Sequence, residues 1–460
     1  MKKYIKIIVL CCIFIFLSNK SAFSWPKINK NTDLAVVVKK DGIWAVNINN
    51  SEEKILLKEG ENYKYPRISK EGYIAFKNED DELFISKISF NKKVENFRVS
   101  DKVTCYKWNN EGKLLFSKYT GGLYLFDLNS KSIEDIKEGK EFYSQIVIGK
   151  DNLIFALKSE MIGEESSYPL SLGIVELDLE TKKEKIIVPY KPVNSKSGDL
   201  GLNPAVAAIS KDGTKVIIWL RTNSASMTAD GVPLGVYDSV TKEFKEINNK
   251  EITVLTYKDM IDVSPTDNNL FALINGSSRF MNTNKTLGVF DIENEAFKKI
   301  TKDSEVAMTP SFSKDGNKII YSASPSKENM QAWEKSFNQN IYEVNLENNE
   351  ITKLTNSKEG FDFLPQYIND NEFIFIRRDI NDKFSLMKGN KEGGEEVIID
   401  EIISPKDKAL EEEFWYYGHY NLNKIFTYKK INLPSFMYHV SGKGIILIKK
   451  TAENTAVLFF

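Results

Sequence analysis

The feature that most constrains the fold of this chain is a pattern that recurs along it. An apolar run is followed by a tight turn and a second apolar run, and the clearest copy reads PSFSKDGNKIIY between Pro310 and Tyr321. Asp315-Gly316 predicts the turn, because glycine accepts a positive φ and aspartate bonds to its own backbone. Alternating residues at 340–346 and 350–354 predict two more strands. The unit therefore predicts four short antiparallel strands.

Six further units follow the same plan. Their turns stand at Glu71-Gly72, Glu111-Gly112, Asp151-Asn152, Asp212-Gly213, Asp267-Asn268 and Asp370-Asn371. The units recur roughly every 40 to 60 residues, and short strands with turn signals at such intervals indicate an all-β repeat fold. A four-stranded unit of this size is typical of a β-propeller blade.

The two ends of the chain predict one more unit, split between them. Residues 34–38, 43–48 and 54–57 are expected strands that lack a first strand, whereas 414–417 and 424–428 begin a unit without its end. Pairing the two parts closes a ring and removes exposed sheet edges. The sequence therefore predicts an all-β propeller of eight blades, closed by pairing N- and C-terminal strands. Seven blades is the alternative, since residues after Leu433 do not fit the pattern.

The Ser-Lys-Asp-Gly turns at Ser210 and Ser313 are each followed by an apolar strand, and later strands of the repeat end apolar-apolar-Asp. This pattern resembles the TolB-like (WD-repeat-like) propeller repeat over nearly all of the chain. The resemblance implies the fold and says little about function. The family's namesake carries an additional N-terminal domain and acts in a Gram-negative envelope complex. Here the repeats begin near the start, so we expect neither that domain nor that role.

The N-terminus has the layout of a secretory signal peptide. Lysines at positions 2, 3 and 6 precede an apolar run at 7–17, and small residues at 21, 22 and 24 predict cleavage before Trp25. The apolar run is shorter than the ~20 residues that span a bilayer. We therefore predict a signal peptide at 1–24 and a single propeller domain at 25–460, secreted or held in the cell envelope. An uncleaved anchor is the alternative, and no span is expected after cleavage.

Charge and residue types argue against several functions. The chain has 63 basic and 64 acidic residues, so nothing attracts it as a whole to nucleic acid. Only Cys105 remains after residue 24, and we expect it to be a buried small hydrophobe. The two histidines, His419 and His439, both lie in the last unit, and no Gly-x-Ser-x-Gly elbow is present. We therefore predict no catalytic triad, no metal site and no cofactor.

One face of the predicted propeller is more elaborate than the other. The connection between second and third strands is short in the first two units, at 77–82 and 117–122. It is long in the next four, at 158–172, 221–234, 275–287 and 322–339. Loop insertions on one face of a repeat protein often mark its binding face. We therefore expect the functional surface on this side.

The scarce arginines concentrate on that face. Four of the six lie at or just after the end of a second strand, namely Arg221, Arg279, Arg377 and Arg378. Arginine suits bidentate recognition of carboxylate or phosphate. The same loops carry aromatic residues of types enriched in binding surfaces, namely Tyr168, Phe280, Trp333 and Phe337. These eight are the candidate binding residues; the alternative is that the arginines cap strand ends. We expect alanine at Arg221, Arg279 and Arg377 to change stability by less than ~0.5 kcal/mol each, because such sites are exposed.

These patterns favour a binding or assembly scaffold over an enzyme. The expected partner is an envelope protein, a peptide or a cell-wall polymer. The alternative is a carboxylate-based glycan hydrolase or lyase on the same scaffold, since paired carboxylates do acid and base chemistry without histidine. Clustered carboxylates with perturbed pKa values would favour the enzyme.

Overall fold

In the computed structural model of this protein, the described residues are 32–88, 94–162, 168–224, 230–336, 338–358, 360–404, 415–416, 419–420, 426–431, 446–451 and 454–459. The signal peptide predicted at 1–24 lies outside these ranges, as do Phe337 and His439. Among the described residues, no helix has the length and apolar character that crossing a membrane requires.

Antiparallel strands make up most of the described chain. The first three form a meander of β1 (Thr32–Lys39), β2 (Gly42–Asn47) and β3 (Asn50–Glu59). Two four-stranded sheets follow. They consist of β4 (Lys64–Ile68), β5 (Ile74–Lys77), β6 (Leu83–Ile88) and β7 (Val94–Ser100), then β8 (Val103–Trp108), β9 (Leu114–Lys118), β10 (Leu123–Asp127) and β11 (Ser132–Lys137).

Three more four-stranded sheets continue the series. The first contains β12 (Glu141–Ile148), β13 (Leu153–Ile162), β14 (Tyr168–Asp178) and β15 (Glu184–Pro189). The second contains β16 (Asn203–Ile209), β17 (Lys215–Arg221), β18 (Leu234–Asp238) and β19 (Glu243–Glu246). The third contains β20 (Ile261–Val263), β21 (Leu270–Asn275), β22 (Thr286–Asp291) and β23 (Ala296–Lys299). Short 3₁₀ helices at Lys150–Asn152 and Lys258–Met260 lie in this part of the chain.

The remaining strands belong to the C-terminal part. One group of four is β24 (Glu305–Phe312), β25 (Lys318–Pro325), β26 (Asn338–Asn345) and β27 (Ile351–Lys353), with helix α1 (Met330–Glu334) between β25 and β26. The next is β28 (Gly360–Tyr367), β29 (Glu372–Asp379), β30 (Phe384–Asn390) and β31 (Glu395–Ile402). The last described strands are β32 (Trp415–Tyr416), β33 (His419–Tyr420), β34 (Phe426–Ile431), β35 (Ile446–Thr451) and β36 (Asn454–Phe459). β35 and β36 pair as a hairpin.

The predicted turn between first and second strands is confirmed where its sequence is clearest. Ser313 Oγ accepts a hydrogen bond from the Lys318 amide at 2.9 Å and donates to Asp315 Oδ1 at 2.5 Å. Gly316 has a φ of 77°, which favours glycine. The turn at Ser210 repeats this network, with Gly213 also at a φ of 77°. The recurring sequence therefore encodes a recurring local structure.

Burial explains the composition of the strands. Second strands such as β9 and β17 are covered on both faces, so they are nearly continuous apolar runs instead of alternating ones. Fourth strands such as β27 are exposed along their whole length. Each four-stranded unit thus has apolar inner strands that pack against its neighbours and a polar outer edge.

The first described strand, β1, lies in one sheet with β34, a strand near the C-terminus. β34 pairs antiparallel with β1, from Thr32 opposite Ile431 to Val37 opposite Phe426. The Tyr428 hydroxyl also donates to the buried Asp33 carboxylate at 2.8 Å. This pairing agrees with the predicted split unit, although the strand spans 426–431 and not 424–428. The blade number and the closure of a complete ring stay predictions.

Candidate functional site

Arg279 is engaged by a carboxylate of the same chain. Its Nε and Nη2 donate to the two oxygens of Asp230 at 2.8 and 2.7 Å. Arg279 follows β21, whereas Asp230 lies between β17 and β18, so the pair joins loops of two neighbouring sheets. The guanidinium also holds the pKa of the Asp230 carboxyl below its usual value. Arginine forms this bidentate geometry with carboxylates in general.

Arg377 forms a second bidentate pair, deeper in the protein. Its Nε and Nη2 donate to Asp362 at 2.7 and 2.8 Å, directly across the β28–β29 pairing. Its Nη1 donates to Glu395 at 2.6 Å. The Asp362 side chain is 0% exposed and the Arg377 side chain 20% exposed. Burial raises the pKa of the Asp362 carboxyl, while Arg377 and the Thr355 hydroxyl oppose this effect.

The other two arginines also have partners within the chain. Arg378 is buried, pairs with Asp382, and stands over the Phe361 ring at 5.3 Å. Arg221 Nε donates to the Asn203 carbonyl at 3.0 Å. The four arginines are therefore spread over three sheets and are not brought together in one cluster. Their role in binding stays a prediction. The premise that these arginines are exposed is wrong, because the side chains of Arg377 and Arg279 are 20% and 21% exposed and Arg221 is half-buried.

The predicted aromatic residues have different surroundings. Trp333 in α1 is 1% exposed, and its Nε1 donates to Ser324 Oγ at 2.9 Å. Its ring packs edge-on against Phe361 at 5.2 Å. Phe280 is exposed, whereas Phe337 lies outside the described residues. Trp333 therefore belongs to the core between sheets and not to an open surface.

The long loop predicted at 158–172 is largely strand. β13 and β14 remain paired as far as Ile162 opposite Tyr168, beyond a register shift at Lys158 and Ser159. The backbone pairing of the two extended strands continues through most of the predicted loop. Tyr168 accordingly begins β14.

The first strands enclose two adjoining cavities of about 700 and about 720 Å³. We call them together the inner-strand cavity. Their walls come from β4, β8 and β12 on one side, from β24 and β28 on the other, and from β34. Lys258 and Asp259, just before β20, line both halves.

Backbone bulges shape this cavity. Tyr65, Gln145, Thr309 and Leu364 each have a φ between 49° and 58°, and each lies where its first strand slips register against the second. A bulge bends its strand and redirects the side chains that follow. All four residues line the cavity. Their recurrence in four units indicates a property of the repeat scaffold.

Positive charge collects in one half of the inner-strand cavity. Arg67 on β4, Lys107 on β8 and Lys258 line it, and Lys429 on β34 lies near Lys107. Burial lowers the pKa of Lys107 to about 8, and repulsion from the other three cations adds to this. Burial also lowers the pKa of Lys258 to about 8, with a contribution from Arg67. These residues were not among the sequence candidates.

Two further titratable groups line the same cavity. Burial raises the pKa of the Cys105 thiol to about 11, and its Sγ lies 3.1 Å from the Tyr143 carbonyl. A thiol with a raised pKa is a poor nucleophile at neutral pH. In the other half, burial raises the pKa of Asp262 to about 6, although the Phe312 amide donates to it at 2.7 Å. Nowhere in the described ranges do three or more His, Cys, Asp or Glu side chains gather as a possible metal site.

Comparisons with known proteins support the fold of this chain but do not assign it to a family. No protein-family model and no curated protein sequence matches the chain. Dipeptidyl peptidase 4 from Porphyromonas gingivalis has a similar solved structure, with a TM-score of 0.51 and 11% identity, over 81% of this chain and 58% of that one. An oligogalacturonate lyase in complex with manganese gives a TM-score of 0.45 and 15% identity, over 76% and 87% of the two chains. A putative TolB from Agrobacterium tumefaciens gives 0.36 and 12%, over 66% and 96%. The peptidase likeness, at this low identity, shows the fold alone. Together with the four-stranded sheets it supports a β-propeller scaffold.

Proposed function

We propose that the protein is an exported β-propeller that acts as a binding or assembly scaffold in the cell envelope or outside the cell. In this proposal the ring has eight blades, and the sheet of β34 and β1–β3 closes it. The partner inserts a part of itself into the inner-strand cavity. The observation that carries the proposal is this cavity, because first strands from several sheets converge on it with charged and polar side chains. Concave sites with a few convergent polar groups are the usual form of binding sites.

The alternative function is a carboxylate-based glycan hydrolase or lyase. Its supporting feature is Asp262, whose carboxyl has a raised pKa and lines the cavity. Hydrolysis of this kind generally uses two carboxyl groups in separate roles. Asp259 and Asp370 also line this half of the cavity, whereas cations line the other half, and these cations favour the binding scaffold as the better supported function.

A bulky residue in the cavity tests the binding role. Thr256 lines the cavity, and Thr256→Trp would fill part of it. Thr352→Trp is the matched control, because Thr352 is exposed on the outer strand β27. Tagged versions of both would be recovered from the envelope and medium of the producing cells, cross-linked, and compared for bound partners.

We expect Thr256→Trp to lose the partner that the parent and Thr352→Trp retain. N-terminal sequencing of the recovered protein should give Trp25 as the first residue. Recovery of both variants with the same partner would contradict binding in the cavity. Recovery of the chain only from the cytoplasm, with residues 1–24 attached, would contradict export.

A further inference from the structure

Lys107 and Lys258 lack the neutralisation that Lys77, in the same half of the cavity, and Lys158 have. Lys77 pairs with Asp81 at 2.7 Å, and Lys158 pairs with Glu184 at 2.6 Å. By contrast, the Nζ atoms of Lys107 and Lys258 have no hydrogen-bond or ion-pair partner within the described part of the chain. Both side chains are exposed to solvent, but they line a cavity whose walls surround them and partly desolvate their charge. Two ammonium groups are thus held close to further cations with their donors free.

The neighbouring groups leave this half of the cavity positive. Arg67 and Lys429 add two cations from β4 and β34, and Lys429 donates only to the Ile68 carbonyl among its described contacts, at 3.3 Å. The Asp259 carboxylate also lines the cavity. The Cys105 thiol, with its raised pKa, contributes no negative charge at neutral pH. Leaving aside Lys77, which pairs with Asp81, the Asp259 carboxylate therefore stands among four cations.

Like charges gathered in a partly enclosed space disfavour the folded state, because each opposes the ionisation of the others. An anion that enters the cavity relieves this repulsion and receives hydrogen bonds from charged donors. Such charge-assisted bonds are stronger than neutral ones. The unpaired donors therefore favour a negatively charged ligand over a neutral one.

We propose that the inner-strand cavity binds a compact oxyanion, a phosphate or a carboxylate group, with Arg67, Lys107 and Lys258 as the binding residues. The inference rests on the proposed function and specifies the chemical class of its ligand. Arg67 supplies a planar guanidinium, whereas the two lysines supply point charges. The volume of about 720 Å³ suits a small molecule or the end group of a larger one.

Isothermal titration calorimetry of the purified full chain at low salt and pH 7 tests the proposal. Inorganic phosphate and citrate are the two probes, and they distinguish phosphate from carboxylate recognition. The variant is Lys107→Gln/Lys258→Gln, and the control is Lys185→Gln, an exposed lysine on the outer strand β15. We expect at least one probe to bind the parent and the control equally. The double variant should bind it about tenfold more weakly or worse, as the loss of charged hydrogen bonds implies.

The melting temperature of the double variant shows whether a loss of binding comes from a loss of folding. The double variant should melt at or above the parent temperature, because it removes uncompensated cations. Affinity for citrate, which is almost fully ionised at pH 7, should also fall as the pH rises to 9, since both lysines have a pKa of about 8 and bind an anion only when protonated. Lys258→Glu, a single charge reversal, should abolish binding.

Several results would overturn the inference. The first is no binding of either probe at millimolar concentration, and the second is equal binding by the parent and the double variant. The third is citrate binding by the parent with an affinity unchanged between pH 7 and 9. The assay needs neither export nor a partner. Anion binding that persists while Thr256→Trp keeps its partner would therefore refute the proposed function and leave this inference standing.

Discussion

Replacement of Arg377 by alanine should destabilise the protein far more than a surface position would. Among the described residues, the change leaves the Asp362 carboxylate, which is 0% exposed, with the Thr355 hydroxyl as its remaining side-chain partner. Removing one partner of a buried ion pair typically costs 3–5 kcal/mol, because the other charge stays buried and uncompensated. Protonation of Asp362 would remove the buried charge and offset part of this cost, so we expect the free energy of unfolding to fall by about 3 kcal/mol. Urea denaturation at pH 7 measures it.

Arg279→Ala is the matched control. Its pair with Asp230 has the same bidentate geometry, but the Asp230 side chain is 37% exposed. Partly exposed ion pairs contribute about 1 kcal/mol or less. Adding Asp362→Asn to Arg377→Ala should recover part of the loss, since no buried charge then remains. If Arg377→Ala costs no more than Arg279→Ala, our account of the pair is refuted.

The pH dependence gives an independent check. Burial raises the folded-state pKa of Asp362, and removal of Arg377 takes away the main group that opposes this rise. The folded variant then binds a proton more readily than the unfolded chain does. Its destabilisation is therefore fully present well above that pKa and is relieved as the pH falls through it. The stability difference between parent and variant should shrink from pH 7 to pH 5, and a constant difference would contradict this reasoning.

Two further predictions concern the join of the chain ends and the core under α1. Deletion from residue 409 onward removes β34, which pairs with β1. The truncated chain should melt at a lower temperature and exchange the amide hydrogens of β1–β3 faster. A truncated chain that melts at the parent temperature would show that the ring closes elsewhere. Trp333→Ala should lower the free energy of unfolding by about 3–5 kcal/mol, as is usual for a buried aromatic side chain. Phe280→Ala, at an exposed site, should change it little. A loss below about 1 kcal/mol on denaturation of Trp333→Ala would show that the site tolerates the cavity.

Sequence predicted the elements that depend on local chemistry. The turns at Ser210 and Ser313 follow from a serine, an aspartate and a glycine within four residues, and the structure forms them from those same groups. The pairing of β34 with β1 was also foreseen, because each chain end carries an incomplete set of strands. Both depend on the pattern within one repeat, which is visible in the sequence itself.

The inner-strand cavity could not be predicted in the same way. A strand sends alternate side chains to opposite faces, so a shift of one residue exchanges the two sets. In β4 a bulge at Tyr65 changes the register between Lys64 and Arg67. Pro66 follows Tyr65 directly, and proline inside a strand is typical of a bulge, but its presence does not determine which of the following side chains face the cavity. The face to which Arg67 belongs therefore depends on the three-dimensional backbone.

The arginines of the long loops and the lysines of the inner-strand cavity differ in whether the chain itself neutralises their charge. The arginines were predicted as binding residues because arginine is scarce in this chain. Arg279 and Arg377, however, form bidentate ion pairs with carboxylates of the same chain. A ligand that binds them must compete with those carboxylates. Lys107 and Lys258 belong to an abundant residue type, but they meet further cations in a confined space. A ligand gains most where charge is not yet neutralised. Removing the cavity lysines should therefore weaken anion binding without loss of stability, whereas removing Arg377 should reduce stability first.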